Sequence, residues 1–505
     1  MYIINLEKGK YDYHLEYIIQ EKIMRILFVD IDTLRPDHMS CYGYNRKTTP
    51  NMDKVAEEGL SMQNYYCSDA PCLPSRASLV SGIFGIRNGA VGHGGTAADR
   101  RLGGVQRGFR DSMDANNLHN IFRKANLYTA SISTFAERHS SWWFNAGFHE
   151  TYNVGGGGAE SGEEVLPIAL DWLNKNAQKD DWFLHVHLWD PHTPYRTPAD
   201  FSNPFETEEL TTWIDQKILS EHQKKTGPHS ASELNMYNDE VTPRFPKQLG
   251  RISNLQDLKY HFDQYDGGIY YSDYLIGKIL DYLKSIGIYE EVAIIITSDH
   301  GENMGELGIY SEHGTADKAT CNIPMIIKWP GGVKGRKDAS LHYSLDLLPT
   351  MAELLGVEGC PDWDGKSYCG TVLYGNEEGR DSLVISQMAH VCQRSARFDQ
   401  WLYVRTYHDG FHLFDRELLF NLEEDPYEQK DVKEQYPEVS ARGAKIILDW
   451  LDDQMLKSTS QIDPLWTVMK EGGPYHTLGQ LPNYIERLEK TGRKDGAELL
   501  RKRYR

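Results

Sequence analysis

The chain has 505 residues, enough for one large domain with an ample core and a smaller one beside it. Its 54 Lys and Arg against 73 Asp and Glu give a formal net charge of -19. That balance argues against nucleic-acid binding and against a broad polyanion-binding surface, so an anionic substrate needs a local positive site.

Residues 1–23 mix charges with Tyr and Ile and contain no apolar signal segment, so they read as an N-terminal arm. A continuous apolar run over residues 25–31 ends in acid, the pattern of a strand buried on both faces of a parallel sheet. Residues 129–133, 182–188, 292–297 and 323–328 read similarly. Helical periodicity over 52–58, 117–125, 164–176 and 270–286 lies between them. The alternation predicts an α/β fold with helices on both faces of the sheet. A further strand-like run covers 400–405, and past residue 432 come charged helices with an apolar stripe through Ile446, Leu448 and Leu451. Seven cysteines at scattered positions suggest neither a disulfide framework nor a zinc spacing, and no apolar run approaches membrane-span length. A cytoplasmic protein with no membrane partner is the expectation.

The residues that carry chemistry fall just after the strands: Asp30 and Asp32, then Asp190 and His192, then Asp299 and His300. Carboxyl ends of strands are where open α/β sheets bind ligands. Carboxylates suit a hard divalent ion, while an imidazole beside them admits Mg2+ or Mn2+ as well as Ca2+. Asp30 shares a strand face with Asp32 and is either a further ligand or its partner. Cys72 opens the run Cys72-Leu73-Pro74-Ser75-Arg76. Pro74 and Ser75 predict a helix starting near Pro74, with its N-terminus facing an anion. From there Arg76 folds back towards Cys72, where a permanently charged fork suits an oxyanion. By itself a lone cysteine is most often a buried, inert thiol.

The run from Cys72 to Gly82 resembles the signature of the type I sulfatases, the formylglycine-dependent family of the alkaline-phosphatase-like superfamily. The resemblance extends from about Arg25 to Val432. It implies a large mixed, mostly parallel sheet sandwiched by helices, with a smaller C-terminal α+β domain containing an antiparallel sheet. The corresponding division is 1–23, 24–375 and 376–505. It also implies that Cys72 is oxidised by a formylglycine-generating maturase to an aldehyde. One hydroxyl of the aldehyde hydrate attacks sulfur, and deprotonation of the other ejects sulfate. Asp32 and the Asp299-His300 pair match the two metal-binding stretches, which with Cys72 makes a metal set of Asp32, Cys72, Asp299 and His300, usually for Ca2+. Arg76, His192 and His313 take the remaining catalytic roles, His313 standing where many relatives carry a Lys.

Several positions depart from the pattern. Asp32 is followed by Thr33 rather than a second acid. The usual Lys and His after the 129–133 strand are absent, or are replaced by Arg138 or His139. Ile86 stands where a His is common, and His93 is the nearby candidate for the pocket. Arg394, Arg397 and His390 could reach over the pocket to read a sugar. The expected activity is hydrolysis of a sulfate ester or sulfamate on a small sulfated sugar or short glycosaminoglycan fragment. Two alternatives stay open: a phosphonate monoester or phosphodiester hydrolase of the same superfamily, and an unmatured saccharide-binding protein. A homo-oligomer is also compatible with the sequence.

Overall fold

The computed structural model describes residues 23–100, 112–458 and 460–504. The arm expected over residues 1–23 thus lies, apart from Ile23, outside the described residues. The first strand, β1 (Arg25–Ile31), is buried along its whole length. Leu27, Val29 and Ile31 pack to one side with helices Gly162–Asn176 and Leu255–Ser285. Ile26 and Phe28 pack to the other with helices Leu118–Lys124 and Leu347–Leu354. Two apolar layers explain why the strand carries no polar alternation.

The other strands of this sheet are β2 (Leu60–Tyr66), β3 (Tyr128–Ile132), β4 (Glu150–Tyr152), β5 (Trp182–Leu188), β6 (Val292–Thr297), β7 (Met325–Lys328) and β8 (Arg336–Tyr343). Their spatial order is β8-β2-β7-β6-β1-β5-β3-β4. Only β7 runs antiparallel to its neighbours; the other pairings are parallel. The fold is therefore the mixed, mostly parallel α/β sandwich that was expected. Register sets Asp30 beside His187 on one flank and Thr297 on the other. Asp32, Asp190 and Asp299 consequently emerge together at one edge.

Among the boundaries that differ from expectation, three have a clear local cause. The strand predicted over 323–328 starts at Met325, because Pro324 has no N–H to give a ladder. The helix expected near Pro74 starts at Cys72. Pro74 fits inside its first turn, where the N–H groups have no intrahelical acceptor. The helix predicted over 270–286 begins fifteen residues earlier, at Leu255, and runs through Gly267 and Gly268. Those glycines are helix breakers by propensity. Here they let the helix press on the loop after β5: a Cβ on Gly268 would stand 2.8 Å from the Asp190 carbonyl oxygen.

A second sheet joins β9 (Ser382–Gln387), β10 (Cys392–Phe398), β11 (Trp401–His408) and β12 (Glu417–Asn421) in antiparallel order. Its edge is extended by the two residues Asp69–Ala70, which pair in parallel with β9 just before Cys72. Helix Pro437–Lys457 covers this sheet, with Ile447 against Val384, Phe398 and Tyr403. Of the expected apolar stripe, Ile446 and Leu451 pack against the core while Leu448 is 55% exposed; the buried positions instead include Gly443 and Ile447. The absent side chain of Gly443 lets the helix close on Tyr403.

Candidate functional site

Asp32 lies one residue beyond β1, where its N–H donates to the Leu188 carbonyl of β5 at 2.9 Å. Thr33 follows with φ 59°, a left-handed turn that folds the chain back over the β6 end. Its N–H lies 3.4 Å from Asp299 Oδ1. Helix Cys72–Ser81 is buried at every position and points its first turn at the same edge. Ser75 Oγ pins it there, donating to the Asp299 carbonyl at 2.6 Å.

Asp32, Cys72, Asp299 and His300 present ligand atoms that all lie within 4.8 Å of one another, and all four residues are buried. His300 Nδ1 lies 2.9 Å from the Gly301 carbonyl, so the proton sits on that nitrogen and the Nε2 lone pair faces the cluster. That Nε2 is 3.0 Å from Cys72 Sγ and 3.3 Å from Asp299 Oδ2. Neither carboxylate oxygen of Asp32 accepts a hydrogen bond, although Oδ2 is ion-paired with Arg76 at 3.2 Å. Buried carboxylate oxygens left without hydrogen bonds, beside a second carboxylate and a neutral imidazole, fit a divalent cation.

The guanidinium of Arg76 threads this group. Nε donates to Asp30 at 3.0 Å, Nη2 to His187 Nε2 at 2.8 Å, and Nη1 pairs with Asp299 and, at 3.2 Å, with Asp32. Asp30 is thus Arg76's anchor and stands outside the four-residue cluster. His187 takes up the other side, with its own Nδ1 3.0 Å from Ser133 Oγ. Phe135 and Trp189 cover the fork at 4.9 and 5.9 Å.

Burial drives the carboxyl of Asp299 well above the ordinary range, with Asp32 and Asp30 adding like charge against Arg76. Burial acts on Asp32 in the same sense, yet Arg76, His187, His192 and His300 together hold it well below. The Cys72 thiol is pushed well up by burial and then by Asp32 and Asp299. An unmodified Cys72 is accordingly a protonated thiol, a poor nucleophile.

Cys72 forms the floor of a cleft of 520 Å³ whose walls include His192, His313, His139 and Arg138 and whose rim includes His93, His390 and His476. His192 donates Nδ1–H to the Thr193 carbonyl, which leaves Nε2 unpartnered and 3.9 Å from Asp32. The His313 ring stacks on His300 at 4.2 Å. Burial pushes His313 down to about 3 and His192 well below its usual range. His93 and His139 both reach this cleft. Arg394 does not: its guanidinium is held by Asp463 at 2.7 and 2.8 Å, 1% exposed, beneath helix Pro437–Lys457. Of the residues named with it, His390 is the one at the rim.

Sequence reasoning passed over His229, Asn235, Met236, Tyr475 and His476, all of which line the cleft. His229 Nε2 lies 2.7 Å from Glu312. His476 arrives in a turn, Tyr475–Thr477, within a tail read as packing. No local pattern marks any of these residues, since their meeting is made by long-range contacts.

The sequence model described as Sulfatase matches residues 25–357. An N-acetylglucosamine-6-O-sulfatase of Bacteroides thetaiotaomicron is 25% identical over 413 residues, 69% of this chain and 70% of the relative. Among solved structures, a 2-O GAG sulfatase superposes with TM-score 0.64 at 17% identity, covering 86% of this chain and 92% of that one. The phosphonate monoester hydrolase of Agrobacterium radiobacter superposes with TM-score 0.63 at 19% identity, covering 85% and 96%. At these identities the superpositions show a shared fold.

Proposed function

Because the chain belongs to the sulfatase family of the alkaline-phosphatase-like superfamily and is a sulfuric ester hydrolase, we propose that it removes sulfate from a small sulfated sugar or short glycosaminoglycan fragment through a modified Cys72. The hydrolase assignment displaces the non-enzymatic alternative. The observation that carries the proposal is the convergence of Asp32, Asp299 and His300 around Arg76 and against Cys72, which lines the cleft. The sugar-sulfatase relative supports the substrate class.

Asp32, Asp299, His300 and the modified Cys72 would hold the divalent ion, and two carboxylates favour calcium over softer ions. Bound there, such an ion supplies Lewis-acid polarisation of the sulfuryl group. Oxidation of Cys72 to formylglycine by a maturase would supply an aldehyde, whose hydrate is a hard oxygen nucleophile in place of the buried thiol.

The remaining work falls to side chains of the chain itself. Arg76 is fixed on three sides, so its charge is aimed before substrate arrives and costs no reorganisation. Asp30 and His187 hold that aim. His192 and His313 face the space over Cys72, and their low affinity for protons comes first from burial. A sulfate entering between them adds negative charge that raises both. One of them is then able to carry a proton to the leaving oxygen or nitrogen. We assign the protein to the cytoplasm, on seven cysteines that are all free. None of the described helices is long and apolar enough to cross a membrane.

Changing Cys72 to Ala should abolish sulfate release while leaving the far-UV spectrum and melting temperature near wild type. Sulfate release at the wild-type rate by that variant would refute the proposal. Trapping an aldehyde at Cys72 by peptide mass spectrometry tests the modification directly. The superposed phosphonate hydrolase favours a second reading, phosphonate or phosphate ester hydrolysis. Relative kcat/KM on aryl sulfate and aryl phosphonate esters separates the two.

A further inference from the structure

Three histidines at the cleft mouth are used by nothing described above. His93 comes from the loop after helix Gly85–Asn88, His390 from the turn between β9 and β10, and His476 from the C-terminal tail. Their ligand nitrogens all lie within 4.8 Å of one another. His93 Nδ1 and His476 Nε2 are 3.1 Å apart. Two nitrogens on one tetrahedral zinc ion, each at about 2.0–2.1 Å, stand about 3.3 Å apart. The backbone fixes all three segments: His476 N donates to the Ala389 carbonyl at 3.2 Å, and Tyr237 Oη to the His476 carbonyl at 2.9 Å. The backbone of Gly94 closes on the Tyr475 ring with no room for a Cβ.

The surroundings favour a cation on neutral imidazoles. Burial, then the neighbouring rings, hold His93 and His390 well below their usual range; burial first brings His476 down to about 4. The 3.1 Å contact between His93 Nδ1 and His476 Nε2 is a hydrogen bond between two neutral rings, whose shared proton an ion would displace to the far nitrogen of its ring. Glu312 lies 3.6 Å from His390 Nδ1 and 2.7 Å from His229 Nε2, a carboxylate beside the group. His93 Nε2 is buried without a partner, so the ring can hold its proton there while Nδ1 binds.

We propose that His93, His390 and His476 form a second metal site, for a borderline-soft divalent ion of the zinc class, which ties the C-terminal tail to the cleft mouth. Imidazole ligands suit zinc, whereas the carboxylates on the floor suit a hard ion, so the two sites differ in selectivity. The rings of His390 and His476 are stacked, 4.0 Å apart and 17° from parallel, with a ligand nitrogen of each within 4.8 Å of the other. One ring turns about its Cβ–Cγ bond to converge on the ion, leaving a fourth position open to the cleft. The site stands independently of the hydrolytic reading.

The test uses the full chain carrying Cys72→Ser, since Cys72, His192 and His313 also lie within 4.8 Å and a thiol would compete for zinc. The protein is stripped with chelator, saturated with Ca2+, and titrated with Zn2+ and with Co2+. One equivalent of Zn2+ should bind, and Co2+ should give the intense visible bands of tetrahedral nitrogen coordination. Adding His476→Gln or His93→Gln should weaken Zn2+ binding at least about tenfold and abolish the rise in melting temperature that Zn2+ produces. The two variants sit on different segments, so misfolding of one leaves the other to decide. Absence of stoichiometric Zn2+ uptake, or uptake unchanged by both variants, would overturn the site. Uptake lost with His192→Gln but retained with His476→Gln would place the ion at the floor and overturn it equally.

Discussion

Replacing Arg76 by Met removes the cation paired with three buried carboxylates while keeping an apolar stem of similar length. Asp32 and Asp299 offer oxygens within 4.8 Å of each other. Two unit charges at that separation repel by about 3.5 kcal/mol at an effective dielectric constant near 20. Asp30 and His187 lose their partner in the same step. Protonation of Asp299, already raised by burial, caps the loss. Breaking a buried ion pair from one side typically costs about 3–5 kcal/mol, which brackets this sum. For a chain of this size each kcal/mol is worth about 1–2 °C of melting temperature, so Arg76→Met should melt about 3–10 °C below wild type in chelator. A divalent ion supplies the missing positive charge. At 100 times its dissociation constant it adds about 2.7 kcal/mol, and the variant should gain more from it than wild type does. Differential scanning fluorimetry with chelator and with millimolar Ca2+ reads both effects. A loss under about 1 kcal/mol, or equal Ca2+ gains in both proteins, would refute the charge-compensation argument.

Arg394→Met should destabilise the protein by about 3–5 kcal/mol, because it leaves Asp463 buried without its bidentate partner, while KM for a sulfated substrate stays near wild type; a KM effect without a stability loss would return Arg394 to the sugar-reading role. Gly268→Ala should cost about 1–2 kcal/mol despite the better helix propensity of Ala, since its Cβ meets the Asp190 carbonyl at 2.8 Å and Pro191 Cα at 3.0 Å. The same push displaces His192 two residues on, so kcat should fall with it. Burial, against the Tyr195 hydroxyl, raises the Glu302 carboxyl from 4.5 to about 8. Stability tied to this group is full below the unfolded value and is lost as pH rises through the folded one. Glu302→Gln should therefore flatten the fall in melting temperature between about pH 5 and about pH 8, and an unchanged slope would exclude Glu302 as its source.

The main sheet was legible because each strand carries its own record of burial. The unbroken apolar runs at β1, β5 and β6 state that both faces are covered, and the acids that follow them state where the strand leaves the core. The long helix from Leu255 was half hidden, because Gly267 and Gly268 contradict helix propensity locally and are favoured only by the loop they touch. The tail stripe failed at Leu448 for a related reason: Gly443 adds nothing to an apolar count, yet its missing side chain decides how the helix approaches Tyr403.

By itself the sequence determined the fold class, the family, the strand-end placement of Asp32, His192, Asp299 and His300, and the helix that Cys72 opens. Periodicity, caps and motif spacing are local, and locality is what a chain displays without folding. Only the tertiary structure decided that Asp30 and His187 hold Arg76, that Arg394 belongs to Asp463, and that His93, His390 and His476 meet. A histidine in a polar loop carries no mark of its partners hundreds of residues away. The two sheets and the returning tail fix those distances, through packing contacts that no single segment contains.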